Sequence, residues 1–550
     1  MYPQIYPNIE DWPIYKLHED RKVFVKEIDG YVFRRIKTKH EDIGELIAKT
    51  LYMERIRMKQ EPWKVDPTDE RAFWKKVSNE LIHKSLDKET EEARKTNEQL
   101  LEQIIHRYSE EIVGTFNKRT FLFIRRFLTA FFSRILNAVN GNFWSMRHRL
   151  YDRLQADGNV ELVRELMKKG TVVVVPTHFS NLDSILVGYV LDGIVGLPSF
   201  SYGAGLNLFN AGFAAYFMNR LGAYRVDRRK KSPIYLETLK AMSTLSIKRG
   251  VNTLFFPGGT RSRSGALETK LKMGLLSTVI EAQRGIYQED KDEKVFVVPL
   301  ILGYNFVLEA KFLIEQYLRE TGKELYLRSK DESNSLRKFI HFMWTLFATS
   351  NDIIVSLGQP MDVLGNRVDK NGVSYGHNNQ EVDVKAYFKS FGEVNEDLQR
   401  ESIYTKALAD KILERYLCDN LVLSSHLVAF AAFQLLKHEN AAVDLYGLLR
   451  LPHDDYYFSA SKLQLLLTQL QQRLFEMEEH GKIKLSESVR GEAAMILKNG
   501  IKRLGSYHVN KPLQFKKEQI VSHSFPLLYY YQNRLSNYGL ENHVDWTQIN

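Results

Sequence analysis

Thr171-Val-Val-Val-Val-Pro176, running directly into Thr177-His-Phe-Ser-Asn-Leu-Asp183, is the stretch on which the fold turns. Four consecutive valines closed by a proline predict a short strand, because β-branched side chains favour extended backbone and proline ends the hydrogen-bonded ladder. Three more runs read the same way: Val-Asn-Thr-Leu-Phe-Phe at 251–256, Val-Phe-Val-Val-Pro-Leu at 295–300, and Ile-Ile-Val-Ser-Leu at 353–357, the last stopped by Gly358-Gln-Pro360. Residues 232–249 and 269–283 between them have helical length and composition. Short apolar strands separated by helices predict the α/β class, a central mixed sheet covered by helices, with ligands approaching the ends of the strands.

Around that centre the text changes character. Residues 1–155 read as a helical N-terminal region, 156–362 as the α/β domain, 363–399 as a connecting segment rich in Gly and Asn at 365–379, and 400–550 as a second helical region. Within the last, 421–436 is apolar nearly all round, short for a membrane span and suited to a buried helix, and 459–479 is a long amphipathic stretch. The opening Met1-Tyr-Pro-Gln-Ile-Tyr-Pro7 lacks the basic and apolar blocks of a signal peptide.

The chain of 550 residues carries 77 Lys and Arg against 67 Asp and Glu, a net +10. That excess suits an anionic membrane, an acidic protein, nucleic acid or phosphorylated small molecules. One Cys, Cys418, excludes a disulfide framework and any multi-cysteine metal or iron-sulfur site. From 117 to 149, seven Lys and Arg (Lys118, Arg119, Arg125, Arg126, Arg134, Arg147, Arg149) occur without an acid, interleaved with Phe121, Phe123, Phe127, Phe131, Phe132, Phe143 and Trp144. A helix of this text fits the interface of an anionic bilayer, and equally a packing surface between domains. Arginines among aromatics also stack on single-stranded bases, but this segment belongs to no recognisable nucleic-acid module, and no nucleic-acid partner is expected.

Two loops carry candidate chemistry. After the first strand, His178 and Asp183 can pair if the chain turns irregularly into a helix; Asp183 then accepts from Nδ1 and leaves Nε2 to remove a proton from a hydroxyl. After the second strand, Phe256-Pro-Gly-Gly-Thr-Arg-Ser-Arg-Ser-Gly265 offers a tight turn at Gly258 and Gly259, hydroxyls on Thr260 and Ser262, and two guanidiniums, Arg261 and Arg263, for phosphate oxygens. It has neither the Gly-Lys-Ser/Thr ending of a Walker loop nor G-x-G-x-x-G spacing. Arg220, Arg225 and Arg228, within Phe217-Met-Asn-Arg-Leu-Gly-Ala-Tyr-Arg-Val-Asp-Arg228, are candidates to line an anionic pocket. No H-E-x-x-H motif occurs, and neither a metal nor a redox cofactor is expected.

These blocks, in this order, resemble the glycerolipid acyltransferases that act on glycerol phosphate or lysophosphatidate. His178-x4-Asp183 is similar to their first block, Leu221–Arg228 to the second, Phe256–Gly265 to the third, and Val297-Val-Pro299-Leu300 to the fourth. Residues 420–429 and 527–534 resemble the C-terminal part of the large glycerol-3-phosphate and dihydroxyacetone-phosphate acyltransferases. One position departs: Gly258 stands where the third block normally has Glu, so Glu268 or another residue supplies that carboxylate, the acceptor differs, or activity is reduced.

The resemblance implies a glycerol-3-phosphate 1-O-acyltransferase with acyl-CoA or acyl carrier protein as donor substrate. His178 and Asp183 are its catalytic pair, Arg228, Arg261, Arg263 and Lys272 hold the acceptor phosphate, and Gly258, Gly259, Thr260, Ser262, Gly265 and Pro299 shape the site. Peripheral attachment to the cytoplasmic side of an anionic membrane is expected from the basic, aromatic segment 117–149. The alternatives are acylation of lysophosphatidate or another lipid hydroxyl, and a catalytically weak lipid-binding protein.

Overall fold

The computed structural model describes residues 1–60, 63, 66–84, 90–139, 154–205, 220–322, 353–452, 456–506, 508–516 and 519–549, with backbone alone at 131–139. Phe131, Phe132, Arg134, residues 140–149 and the positions 217–219 that precede the second block lie outside the described side chains.

A seven-stranded sheet organises the centre: β1 (Leu154–Gly158), β2 (Gly170–Pro176), β3 (Ser201–Gly205), β4 (Ala223–Val226), β5 (Thr253–Leu254), β6 (Lys294–Gly303) and β7 (Ile353–Leu357), in the order β1-β7-β6-β2-β5-β3-β4. Strands β2 to β6 run parallel, while β7 is antiparallel to β6 and parallel to β1, so the sheet is mixed. The valine run pairs with β6 over its whole length, Gly170 opposite Lys294 through Pro176 opposite Leu300. Its side chains serve two cores by the period of two of a strand. Val172 and Val174 enter one core with the helix Asp183–Gly193 and the C-terminal helices Ser424–Glu439 and Phe525–Gln532. Val173 and Val175 enter another, with the helices Met273–Gln288 and Leu398–Cys418.

The N-terminal helices build a third core against the helix Pro233–Lys248, which is opened by the Ser232 hydroxyl accepting from the Tyr235 N–H at 3.3 Å. On the helix Arg21–Lys39 the buried residues Phe24, Val25, Ile28, Val32 and Ile36 follow helical spacing. Charge is buried here too. Arg57 pairs with Glu54 at 2.7 Å and with Glu70, and Lys230 pairs with Glu111 at 2.6 Å. Mutual pairing is what makes burial of these groups tolerable.

Three expectations change in detail. The strand read at 251–256 is confined to Thr253–Leu254, because the chain leaves the sheet toward Pro257, although the Phe255 N–H still donates to the Val174 carbonyl at 3.3 Å. The helix read from 269 starts at Met273, since Glu268 to Lys272 fold beneath the preceding loop, where the Lys272 N–H meets the Pro257 carbonyl at 2.7 Å. The Gly- and Asn-rich stretch at 365–379 contains a small hairpin, Arg367–Val368 with Ser374–Tyr375, that buries Val368 and Ser374.

Candidate functional site

Because β2 to β6 are parallel, their carboxyl ends open on one edge of the sheet, and the loops that follow them converge there. They enclose a cleft of about 280 Å³. His178 from the loop after β2, Arg228 from the loop after β4, and Thr260, Arg261 and Arg263 from the loop after β5 all line it, with Phe256, Tyr202 and Leu313 supplying apolar wall.

Residues 177–182 form no regular helix, and the helix proper begins at Asp183. That irregular entry folds His178 back over Asp183. The His178 Nδ1–H donates to Asp183 Oδ2 at 2.8 Å, and the same oxygen accepts the N–H groups of Phe179 at 2.6 Å and Ser180 at 2.9 Å. The Tyr304 hydroxyl donates to Asp183 Oδ1 at 2.7 Å. The side chain of Asp183 is fully buried while that of His178 keeps 16% exposure. A buried carboxylate fixed by four donors and the first turn of a helix holds the imidazole in one tautomer, with its lone pair on Nε2. The Phe256 ring stacks on the imidazole at 4.2 Å between centroids and limits its tilt.

The arginines differ in how they are held. Arg228 and Arg261 both face the cleft, and burial first, then the Arg261 charge, lowers the pKa of Arg228 below its ordinary value. Two guanidiniums brought together in this way form a seat for an anion of more than one charge. Arg261 Nη1 lies 3.2 Å from Glu309 Oε1, and Arg263 pairs with Glu320 on the helix Ala310–Thr321. Lys272 and Pro299 lie outside the described lining. Lys272 packs its methylenes beside Gly259, and Pro299 sits within β6 opposite Val175, its carbonyl accepting from the Gly358 N–H at 2.8 Å.

The remaining loop residues tie the two motifs together. The Ser262 N–H donates to the His178 carbonyl at 2.7 Å, and its hydroxyl donates to the Ala266 carbonyl at 2.7 Å. Gly259 has φ +78°, the left-handed conformation that glycine adopts without strain. A Cβ at Gly258 would stand 3.1 Å from Glu268 Cγ. Glu268 itself accepts the His178 N–H at 2.9 Å, so a carboxylate does support this loop, from position 268. Burial raises its pKa above the ordinary value.

Two further residues, which the sequence motifs do not single out, belong to the site. Glu309 joins the motifs from below, accepting the Ser180 hydroxyl at 2.9 Å and the Asn181 N–H at 3.0 Å besides facing Arg261. Tyr304 is the first residue after β6 and His178 the second after β2, and that shared place just past a strand is the one cue the sequence offers.

Comparison with known proteins adds to this geometry. Residues 157–303 match the family model described as Acyltransferase. A glycerol-3-phosphate acyltransferase of Pseudoalteromonas translucida is 26% identical over 295 residues, 51% of this chain and 32% of that protein. Another from Aeromonas hydrophila is 29% identical over 248 residues, 44% and 27% of the two chains, and one from Histophilus somni is 30% identical over 206 residues, 37% and 23%. The chain thus spans about a third or less of the length of these relatives. Among solved structures, the 1-acyl-sn-glycerophosphate (LPA) acyltransferase PlsC of Thermotoga maritima is similar at 13% identity and a TM-score of 0.24, covering 66% of this chain and 94% of that one.

Proposed function

We propose that this chain, whose residues 157–303 form an acyltransferase-family domain, is a glycerol-3-phosphate 1-O-acyltransferase. The observation that carries the proposal is the His178–Asp183 pair, 2.8 Å apart, in the same cleft as Arg228 and Arg261. The relatives' names supply the acceptor, glycerol 3-phosphate.

In this reading Arg228 and Arg261 take the acceptor phosphate, and Arg263 stands at the rim with Glu320. The free hydroxyl then lies at His178 Nε2. As the hydroxyl oxygen bonds to the thioester carbonyl carbon, its proton passes to Nε2. When the C–S bond breaks, the imidazolium returns that proton to the departing thiolate, and Asp183 holds the ring throughout. No acyl-enzyme is needed, since binding both substrates in line makes the transfer effectively unimolecular. The donor is the thioester of CoA or of acyl carrier protein; the phosphates of the one and the acidic surface of the other both suit a basic entrance.

The same proposal rests the chain on the cytoplasmic face of an anionic membrane through the helix Lys118–Val139. Phe123 and Phe127 are exposed there and stacked at 6.4 Å, with Arg119 and Arg126 exposed beside them. Lys118 and Arg125 already pair with Glu10 and Asp192. Among the described residues no helix is long and apolar enough to cross a membrane.

The test is transfer of labelled palmitoyl groups, from CoA and from acyl carrier protein in parallel, to glycerol 3-phosphate, dihydroxyacetone phosphate and lysophosphatidate. Preferential formation of lysophosphatidate from glycerol 3-phosphate supports the proposal. Preference for lysophosphatidate as acceptor replaces it with the second-step reading, and no transfer to any of the three replaces it with a lipid-binding role.

A further inference from the structure

We infer that Tyr304 is a positioning residue for the His178–Asp183 pair, and that the C-terminal helical region acts on the reaction through it. The inference rests on the reading of His178 as the base.

Asp183 has two carboxylate oxygens with unequal support. Oδ2 takes the imidazole and two backbone N–H groups, whereas Oδ1 accepts the Tyr304 hydroxyl at 2.7 Å. In a fully buried anion such a donor fixes the plane of the carboxylate, and hence the direction from which Oδ2 meets the imidazole. The phenol stays a donor: burial first, then the neighbouring Asp183 charge, pushes its pKa well above the ordinary value.

Tyr304 is in turn held from the C-terminal region at three points along its own strand end. The His426 Nε2–H donates to the Tyr304 carbonyl at 2.9 Å, while Nδ1 of the same ring accepts the Leu423 N–H at 3.3 Å. Burial keeps this histidine neutral, its pKa pushed down to about 3, and the neutral form is the one both bonds require. The Ser425 hydroxyl donates to Asn305 Oδ1 at 2.8 Å. Arg534 donates from Nη2 to the Leu302 carbonyl at 2.8 Å, and its guanidinium lies 4.5 Å from the centre of the Phe179 ring, next to His178. Residues 302, 304 and 305 are therefore clamped by groups drawn from 425 to 534, more than a hundred residues downstream, and the clamped segment delivers one hydroxyl to the buried acid.

Tyr304→Phe removes that oxygen and keeps the ring. The experiment measures kcat and acceptor KM for this change in the wild-type and Asp183→Asn backgrounds, in the full chain. The expected result is a fall in kcat of about tenfold in the wild type, the scale of a hydrogen bond to a charged group, with acceptor KM within about twofold and no more than about twofold further loss in Asp183→Asn. An equal loss in both backgrounds assigns Tyr304 a merely structural part and overturns the inference alone, as does no loss in the wild type. If Asp183→Asn by itself leaves kcat unchanged, the base-and-orienter reading fails and takes this inference with it. Ser425→Ala serves as the second variant if Tyr304→Phe does not fold: a fall in kcat without a change in acceptor KM supports the clamp, and an unchanged kcat overturns it.

Discussion

Glu309 Oε1 stands 3.2 Å from Arg261 Nη1, while the same carboxylate accepts from Ser180 and Asn181, so one buried acid joins the loop that carries His178 to the loop that carries the arginines. A guanidinium already aimed by a counter-charge loses less freedom when a phosphate arrives. Arg261→Ala is expected to raise acceptor KM by about ten- to a hundredfold, with a smaller effect on kcat. Glu309→Gln keeps hydrogen-bonding capacity but removes the charge; it raises acceptor KM less than Arg261→Ala. Michaelis kinetics of the two variants check this, and a Glu309→Gln protein with unaltered acceptor KM counts against the aiming role.

Gly258 and Glu268 compete for one volume. Restoring the residue that the related third block carries, by Gly258→Glu, is expected to destabilise the chain by about 1–3 kcal/mol, because the new Cβ would meet Glu268 Cγ at 3.1 Å and disturb the support of the His178 N–H. Activity falls with it. Combined with Glu268→Ala, the substitution is better tolerated than alone. Thermal denaturation and turnover of the single and double variants decide this, and a stabilised, more active Gly258→Glu protein contradicts it.

The connection between the N-terminal helices Ile43–Gln60 and Glu70–Lys84 holds the loop after β4, though none of its described residues lines the cleft. Arg229, next to the cleft residue Arg228, bonds Asp227 Oδ2 at 2.7 Å, also pairs with Asp66 from the N-terminal region, and lies 4.1 Å from the centre of the Trp63 ring. Arg229→Met leaves the buried Asp227 without its cation, while Asp66 keeps Arg57 at 3.4 Å, and lets the loop after β4 move. Loss of one partner of a buried pair costs about 3–5 kcal/mol. The measured outcome is a lower Tm together with a raised acceptor KM; a lower Tm with unchanged KM restricts the network to stability.

Asp192 gives the stability a pH dependence. Burial raises its pKa from 3.8 to about 6, against the lowering effects of Arg125 and the Gln4 amide. A carboxylate raised on folding binds its proton more tightly in the folded chain, so its stabilising contribution is complete below pH about 4 and is lost as pH climbs through about 6. The gap corresponds to roughly 3 kcal/mol. Urea denaturation of the wild type and Asp192→Asn between pH 4 and 7 should show the wild type losing relative stability across that window by up to this amount. Parallel curves contradict it.

The strands that sequence reveals are those whose own text is sufficient. The valine run of β2 and the apolar ten residues of β6 are buried on both faces, and their composition says so. Strand β1 reads Leu-Gln-Ala-Asp-Gly and β3 reads Ser-Tyr-Gly-Ala-Gly; these are strands because distant partners dock on them, and nothing local announces it. The cleft divides in the same way. His178, Asp183, Arg228 and Arg261 follow strands or stand in motifs, and the fold gathers them at one sheet edge. Tyr304 reaches Asp183 across 121 positions, and Glu309 reaches Ser180, in the loop between the pair, across 129, which no spacing rule encodes. Lys272 and Pro299 show the converse, since residues in or beside a motif in sequence are absent from the described lining of the cleft.

The most direct measurement is the rate of palmitoyl transfer to glycerol 3-phosphate by His178→Ala beside the wild type, with acceptor binding and folding measured on the same samples. Loss of the general base predicts a fall in kcat of about 10²–10⁴ with acceptor affinity nearly unchanged, because Arg228 and Arg261 remain in place. Turnover close to the wild type by a folded His178→Ala protein would contradict the account.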